Sequence, residues 1–168
     1  MRKLLMTITL ACFATFALSA CDKDAQTEQA AVQAPAVVSM PSNPTDKAAW
    51  KAYLVQVVTN NMTGVKSNHP YMYFVPGGDD DATKSDRNNQ LENVKNVVAR
   101  GVLPGNMMAF GGPDSKITAQ LVVDAFKDVQ AGAFKDVVVL FIGAPAEGES
   151  VKQALLSSGA DVRFVEAK

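Results

Sequence analysis

Four short apolar segments alternate with helical patterns in the C-terminal two thirds of the chain, and this alternation constrains the fold more than any other feature. The apolar segments are Tyr71–Val75, Asn106–Phe110, Val137–Ile142 and Val162–Val165. Each intervening stretch carries apolar residues three or four positions apart and is long enough for a helical crossover between parallel strands. A further helical pattern begins at Thr45, before the first segment. The order predicts an α/β fold: a single three-layer domain with a mostly parallel four-stranded sheet and helices on both faces.

The composition of each segment predicts its place in the sheet. Val137–Ile142 is the most continuously apolar segment after the N-terminal region, which favours a central strand. The last segment contains Arg163, and a charged residue is typical of an edge strand. Tyr71–Val75 is expected to be a buried strand whose residues Tyr71, Tyr73 and Phe74 belong to the core. Right-handed crossovers are compatible with the strand order 2-1-3-4, which we take as the prediction.

The first 20 residues have the three regions of a secretory signal. Arg2 and Lys3 precede an apolar run from Leu4 to Leu18, which is too short and ends too abruptly to span a bilayer as a mature helix. The segment then closes with Leu18-Ser19-Ala20-Cys21. This tetrapeptide resembles the lipobox of bacterial lipoproteins. The resemblance implies that Cys21 is lipid-modified and becomes the N-terminus.

The signal-like N-terminus and the change of sequence pattern near Thr45 together predict the organisation of the chain. Residues 1–20 are predicted to be the signal peptide, residues 21–44 a lipidated flexible linker without sustained periodicity, and residues 45–168 the folded domain. The domain is then expected to face the periplasm, held in the cell envelope by the membrane anchor at Cys21. Asp22 resembles the inner-membrane retention signal of enterobacterial lipoproteins, whereas Lys23 departs from it. The choice between inner and outer membrane therefore stays open.

Composition excludes several classes of function. The chain after residue 20 contains 14 basic and 17 acidic residues, a net charge of −3, and it has no basic cluster of the kind that binds nucleic acid. Cys12 leaves with the signal and Cys21 carries the lipid, so the folded part has no thiol. With a single histidine, a metal site of His and Cys ligands is excluded by number. No cofactor is expected.

The parallel sheet is predicted to gather three acidic loops at one edge. Loops 76–86, 111–115 and 143–149 each follow a strand, and open α/β sheets place ligands at the carboxyl ends of their strands. The charged residues expected to bind a partner there are Asp79, Asp80, Asp81, Asp86, Arg87, Asp114, Glu147 and Glu149. Seven carboxylates disfavour a phosphate ligand, and neither G-x-x-x-x-G-K-[ST] nor G-x-G-x-x-G is present.

The residues that could form a calcium site or a catalytic site are better explained by structural roles. Consecutive aspartates point in different directions, and no D-x-[DN]-x-[DN]-G loop accompanies Asp79–Asp81, so a solvated loop is favoured over a calcium site. His69 precedes the first strand and is expected at the opposite edge from the acidic loops. Ser115 and Ser150 are expected to cap helices. No catalytic residue is identified, and the chain is not predicted to be an enzyme.

Two functions fit these observations. The lipobox Leu18–Cys21 and a compact acidic domain resemble the small lipoprotein immunity proteins that bacteria pair with toxins delivered into the periplasm. That resemblance of architecture implies a protein-binding module whose partner is a cognate toxin or effector acting in the cell envelope; it supplies no interface residue. The alternative is an envelope enzyme or small-ligand-binding domain that uses the acidic loop edge as its pocket.

Overall fold

The computed structural model describes residues 39–168; the predicted signal peptide, Cys21 and most of the predicted linker lie outside them. Helices and strands alternate as the sequence predicts. They are α1 (Lys47–Asn60), β1 (Tyr71–Phe74), α2 (Asp81–Arg100), β2 (Met107–Gly111), α3 (Ser115–Phe126), β3 (Val138–Gly143), α4 (Pro145–Leu155), a short 3₁₀ helix (Leu156–Ser158) and β4 (Asp161–Glu166). All three strand pairs are parallel, so the predicted α/β class is confirmed.

The strand order is β1-β2-β3-β4, which corrects the expected order 2-1-3-4. Successive crossovers of one hand that advance in one direction place their helices on the same face of a sheet. Accordingly, α2, α3 and α4 share one core cluster with alternate strand residues such as Phe110 and Phe141. Helix α1 is not a crossover, and it shares a second cluster with the intervening strand residues, such as Ala109 and Leu140. Because α1 already covers the other face of the sheet, the three crossover helices can all lie on one face. Each new strand is then added on the same side of the previous one, which gives the order β1-β2-β3-β4.

The two ends of the sheet follow from this order. Strand β3 pairs with β2 and β4, which confirms its predicted central position, and β4 is an edge strand as Arg163 indicated. Strand β1 is the other edge, so the expectation of a buried first strand was wrong for half of its residues. Tyr71 and Met72 are 42% and 44% exposed, whereas Tyr73 is buried and stacks on Phe110 at 4.9 Å between ring centroids.

Three helices begin directly at the carboxyl ends of the strands. Asp80 caps α2 by accepting a hydrogen bond from the N–H of Thr83, so this helix begins at Asp81, inside the segment 76–86 that the sequence predicted to be a loop. Asp114 caps α3, the role that had been expected of Ser115. Pro145 is the first residue of α4, where its fixed φ suits the helix, and Ser150 consequently lies inside α4 rather than at its cap.

Candidate functional site

The loops that follow β1, β2 and β3 form one continuous surface at the carboxyl edge of the sheet. A Cβ atom added at Gly77 would lie 2.9 Å from the Pro113 side chain, so the first two loops are in close contact. The hydroxyl of Ser115 accepts a hydrogen bond from the N–H of Ala144 at 2.7 Å, which joins the second loop to the third. The edge is therefore a packed surface, and contacts between the loops hold the backbone from which its charged side chains extend.

The acidic triplet Asp79–Asp81 leads into α2: Asp80 is the N-cap and Asp81 is the first helical residue. Hydrogen bonds from the side chain and backbone of Thr83 hold the pKa of Asp80 below its ordinary value, so this carboxylate stays ionised while it caps the helix. Asp79 and Asp81 flank it and are exposed. The triplet is exposed, as the solvated-loop prediction expected, and its last residue, Asp81, is the first residue of α2. Among residues 39–168, no group of three or more acidic, histidine or cysteine side chains is arranged to hold a metal ion.

The other three acidic residues of this edge lie on α3 and α4. Asp114 accepts a hydrogen bond from the N–H of Ile117 at 3.0 Å. Glu147 lies in the first turn of α4, where a negative charge complements the helix dipole, and Glu149 accepts a hydrogen bond from Gln153 at 2.8 Å. Capping therefore explains Asp80 and Asp114, whereas the carboxylates of Asp79, Asp81 and Glu147 are left available for contacts with a partner.

Asp86 and Arg87 have positions that the sequence did not predict. Both lie within α2, beyond its first turn. Asp86 forms an ion pair with Lys47 of α1 at 3.0 Å, and both side chains are more than half exposed. Arg87 donates hydrogen bonds to the carbonyl oxygens of Pro76 and Gly78. Arg87 thus holds the loop that carries the triplet, and Asp86 faces the free edge of β1 instead of the acidic surface.

The cavity found at the carboxyl edge among residues 39–168 is small. It measures about 180 Å³ and lies among Gly112, Ser115, Gly143 and Ala144, whereas pockets for small organic ligands usually exceed ~300 Å³. Open α/β sheets form their ligand crevice where the strand order reverses, and the order β1-β2-β3-β4 has no reversal. The geometry of this edge thus favours a surface contact over an enclosed ligand.

Two larger depressions lie elsewhere. One of about 550 Å³ lies between the C-terminal parts of α2 and α3, beside Arg100, Asp128 and Phe134. The other, of about 410 Å³, runs along the free edge of β1 between α1 and α2. We call this second depression the β1 groove; it is lined by Lys47, Lys51, Met72, Phe74, Pro76, Asp86, Asn89, Gln90 and Asn93. Sequence reasoning missed it because the aromatic composition of β1 indicated a central strand.

The remaining candidates have structural roles. His69 is exposed in the segment before β1, as expected. Burial, with a smaller contribution from the neighbouring Tyr71, raises the pKa of Tyr73 to about 12, while Arg100 opposes the effect. Tyr73 therefore stays protonated at neutral pH and serves as a core residue, in agreement with the sequence prediction for that position.

Comparison with known proteins finds no match: no protein-family model, no curated protein and no solved structure matches the chain. In the part of the chain that the structure describes, no helix is both long enough and apolar enough to cross a membrane.

Proposed function

We propose that this protein is a lipid-anchored, periplasm-facing protein-binding module that neutralises a toxin or effector acting in the cell envelope. The observation that carries the proposal is the carboxyl edge of the sheet. Three loops pack there into one acidic surface, and the cavity found on it among the described residues is small. A surface of this kind suits a macromolecular partner, and its charge suits a cationic one. The lipobox resemblance of Leu18–Cys21 supports the envelope location.

The acidic residues are well placed for recognition because the helices position them. Asp79 and Asp81 flank the capping residue Asp80, so their backbone is held by the start of α2. Arg87 fixes the preceding loop through the carbonyl oxygens of Pro76 and Gly78. Charges on an ordered backbone lose little conformational entropy on binding, and they steer an oppositely charged partner toward the surface.

The attachment point of the domain is compatible with this role. The N–H of Met40 donates a hydrogen bond to the carbonyl oxygen of Lys168 at 2.7 Å, which holds residue 40 at the carboxyl end of β4. The N–H of Lys168 in turn donates to the hydroxyl of Tyr53. The chain between Cys21 and Met40 spans at most roughly 65 Å when fully extended. The domain can therefore meet a partner well away from a membrane surface.

Reversing two charges of the triplet is expected to weaken partner binding. The soluble chain of residues 22–168 is used to capture partners from envelope extract and secreted proteins, and the affinity of the purified partner is then measured at two salt concentrations. For D79K/D81K, which leaves the capping Asp80 in place, we expect affinity to fall about 30-fold or more, because each lysine meets like charge. The affinity of this variant should also depend much less on salt concentration than that of the parent.

The matched control is E92K/D128K, which makes the same change of net charge away from the carboxyl edge. This variant should bind nearly as tightly as the parent. An equal loss of affinity in both variants would show that only net charge matters, and an unchanged affinity of D79K/D81K would place the interface elsewhere. If the captured partner is a toxin, deletion of the gene should sensitise the cell to it, and the parent chain should restore protection.

Replacing the predicted lipidation residue tests the anchor. For Cys21→Ser we expect the protein to move from the membrane fraction to the soluble periplasmic fraction, because serine offers no thiol for lipid attachment. The circular dichroism spectrum and melting temperature of the domain should be unchanged, since residue 21 precedes the predicted domain of residues 45–168. Persistent membrane association of the folded variant would contradict the lipoprotein assignment.

A further inference from the structure

We propose that the β1 groove is a second binding surface, which takes an extended, acidic peptide segment of a partner protein as an added fifth strand. The groove is separate from the acidic carboxyl edge, and the inference does not depend on the function proposed for that edge. Three features support it. Strand β4 carries charged residues and β1 does not, the outer backbone groups of β1 are not paired with a strand among the described residues, and the groove walls carry a net positive charge.

The two edges of the sheet differ in how they resist pairing with other chains. Strand β4 carries Asp161, Arg163 and Glu166, and charged residues are a usual protection of an edge strand. Strand β1 is Tyr-Met-Tyr-Phe, with no charged residue and no proline within it. Two of these four large side chains are more than 40% exposed. An apolar, unprotected edge of this kind is suited to binding another strand.

The backbone of β1 has free groups on its outer side. Val75 donates its N–H to the carbonyl oxygen of Gly111, and the backbone groups of alternate residues in a strand face the same side. Tyr71 and Tyr73 therefore face β2, whereas the N–H and C=O groups of Met72 and Phe74 face the open edge. Among residues 39–168, no strand pairs with that side of β1. An added strand can bond to these groups as in β-augmentation.

The walls of the groove define the chemistry of the occupant. On the α1 wall, Lys47 is neutralised by Asp86, whereas Lys51 forms none of the ion pairs found among the described residues. On the α2 wall, Asn89 and Asn93 offer carboxamides, which both donate and accept hydrogen bonds. The groove thus has one uncompensated positive charge in a chain that is acidic overall. A segment with a carboxylate directed toward α1 complements it.

The same charge argues against a second copy of this chain as the occupant. Antiparallel pairing of two β1 strands about a two-fold axis places α1 of each copy on the same face of the joined sheet. Lys51 of one copy would then approach Lys51 of the other, and like charges directly opposed are unfavourable. A partner with an acidic strand avoids this repulsion.

The test uses a blocked short peptide that alternates β-branched residues with one central glutamate, and a matched peptide with lysine in that position. Both are titrated into the soluble chain of residues 22–168 while amide chemical shifts and hydrogen exchange are followed. We expect the glutamate peptide to protect the amides of Met72 and Phe74 and to bind about fivefold more tightly than the lysine peptide. Nonspecific attraction to this acidic chain would give the opposite preference.

Two variants separate backbone pairing from charge. Met72→Pro removes an outward N–H at a position where an edge strand tolerates proline, and it should abolish binding. Met72→Thr keeps the N–H and should therefore retain most of the peptide binding. Lys51→Glu should reverse the preference between the two peptides, and because residue 51 is exposed this variant keeps the test valid if Met72→Pro does not fold.

Several results would overturn the proposal. Absence of protection at millimolar peptide, protection of amides outside β1, or an unchanged preference in Lys51→Glu would each do so. Protection of the amides of Met72 and Phe74 in the free protein that is lost on dilution would assign the groove to a second copy. Protection that persists at every concentration would assign it to another part of the same chain.

Discussion

Replacing Gly112 by alanine is expected to lower the free energy of unfolding by about 3 kcal/mol, because the new methyl group has no space. The added Cβ would collide with the carbonyl oxygen of Val75 and would also approach Thr118 Oγ1 at 3.4 Å. Val75 cannot withdraw easily, since its own N–H is bonded to Gly111 and its side chain is buried. Chemical denaturation of the purified variant measures the loss, and a melting temperature lower by roughly 10 °C should accompany it.

The control for this substitution is Gly132→Ala. Gly132 has a φ of +75° and no atom within 4 Å of an added Cβ, so alanine there carries only the cost of a left-handed backbone, about 1 kcal/mol. Both variants reduce the entropy of the unfolded chain equally. A Gly112→Ala variant no less stable than the control would show that β1 and β2 do not approach so closely. Since Gly112 lies where the loops converge, its replacement should also weaken partner binding at the acidic edge.

Local patterns in the sequence predict the elements but not their neighbours in space. The helical spacing of Trp50, Tyr53 and Leu54 and the uninterrupted apolar run of β3 each specify an element, because burial on one or two faces imposes a period. Strand order has no such local signal. It depends on which element covers the second face of the sheet, and α1 does so here. Predicting the order required knowing that α1 covers the second face of the sheet.

The candidate site was predictable in part for the same reason. Parallel strands bring their following loops to one edge, so the chain order alone predicts that Asp79–Asp81, Asp114 and Glu147 share that edge, and the three strand pairs are indeed parallel. The direction of Asp86 depends on the start of α2, which the capping by Asp80 shifts toward the strand. The β1 groove was missed because aromatic residues are as suitable for an exposed groove as for a core. The nearest signal was the absence of charge between Pro70 and Pro76.

The two proposed surfaces depend on different parts of the domain. The acidic edge is built on the first turns of α2, α3 and α4, which share one core cluster. The β1 groove requires α1, since Lys47 and Lys51 form one of its walls. Helix α1 belongs to the other cluster, on the opposite face of the sheet. A substitution that loosens only α1 should therefore separate the two binding activities.

We expect Trp50→Ala to loosen α1 and to lower the free energy of unfolding by about 3 to 5 kcal/mol. Trp50 is 2% exposed, contacts Tyr53 edge-on at 5.7 Å between ring centroids, and lies 6.4 Å from the ring of Phe74. Its indole N–H also donates to the carbonyl oxygen of Asn43 at 3.1 Å. Removing this side chain leaves a cavity between α1 and the sheet. Denaturation and amide hydrogen exchange measure the global and the local effects.

Exchange in the Trp50→Ala variant should accelerate most in α1, because among residues 39–168 this is the only helix that contributes to its core cluster. Under conditions where the variant remains folded, it should lose peptide binding at the β1 groove and keep partner binding at the acidic edge. The control is Val55→Ala on the same helix, where the side chain is 47% exposed and a change within about 0.5 kcal/mol is expected. Uniform acceleration across α2, α3 and α4 as well would show that the two clusters unfold as one unit. The variant would then lose peptide binding at the β1 groove and partner binding at the acidic edge together.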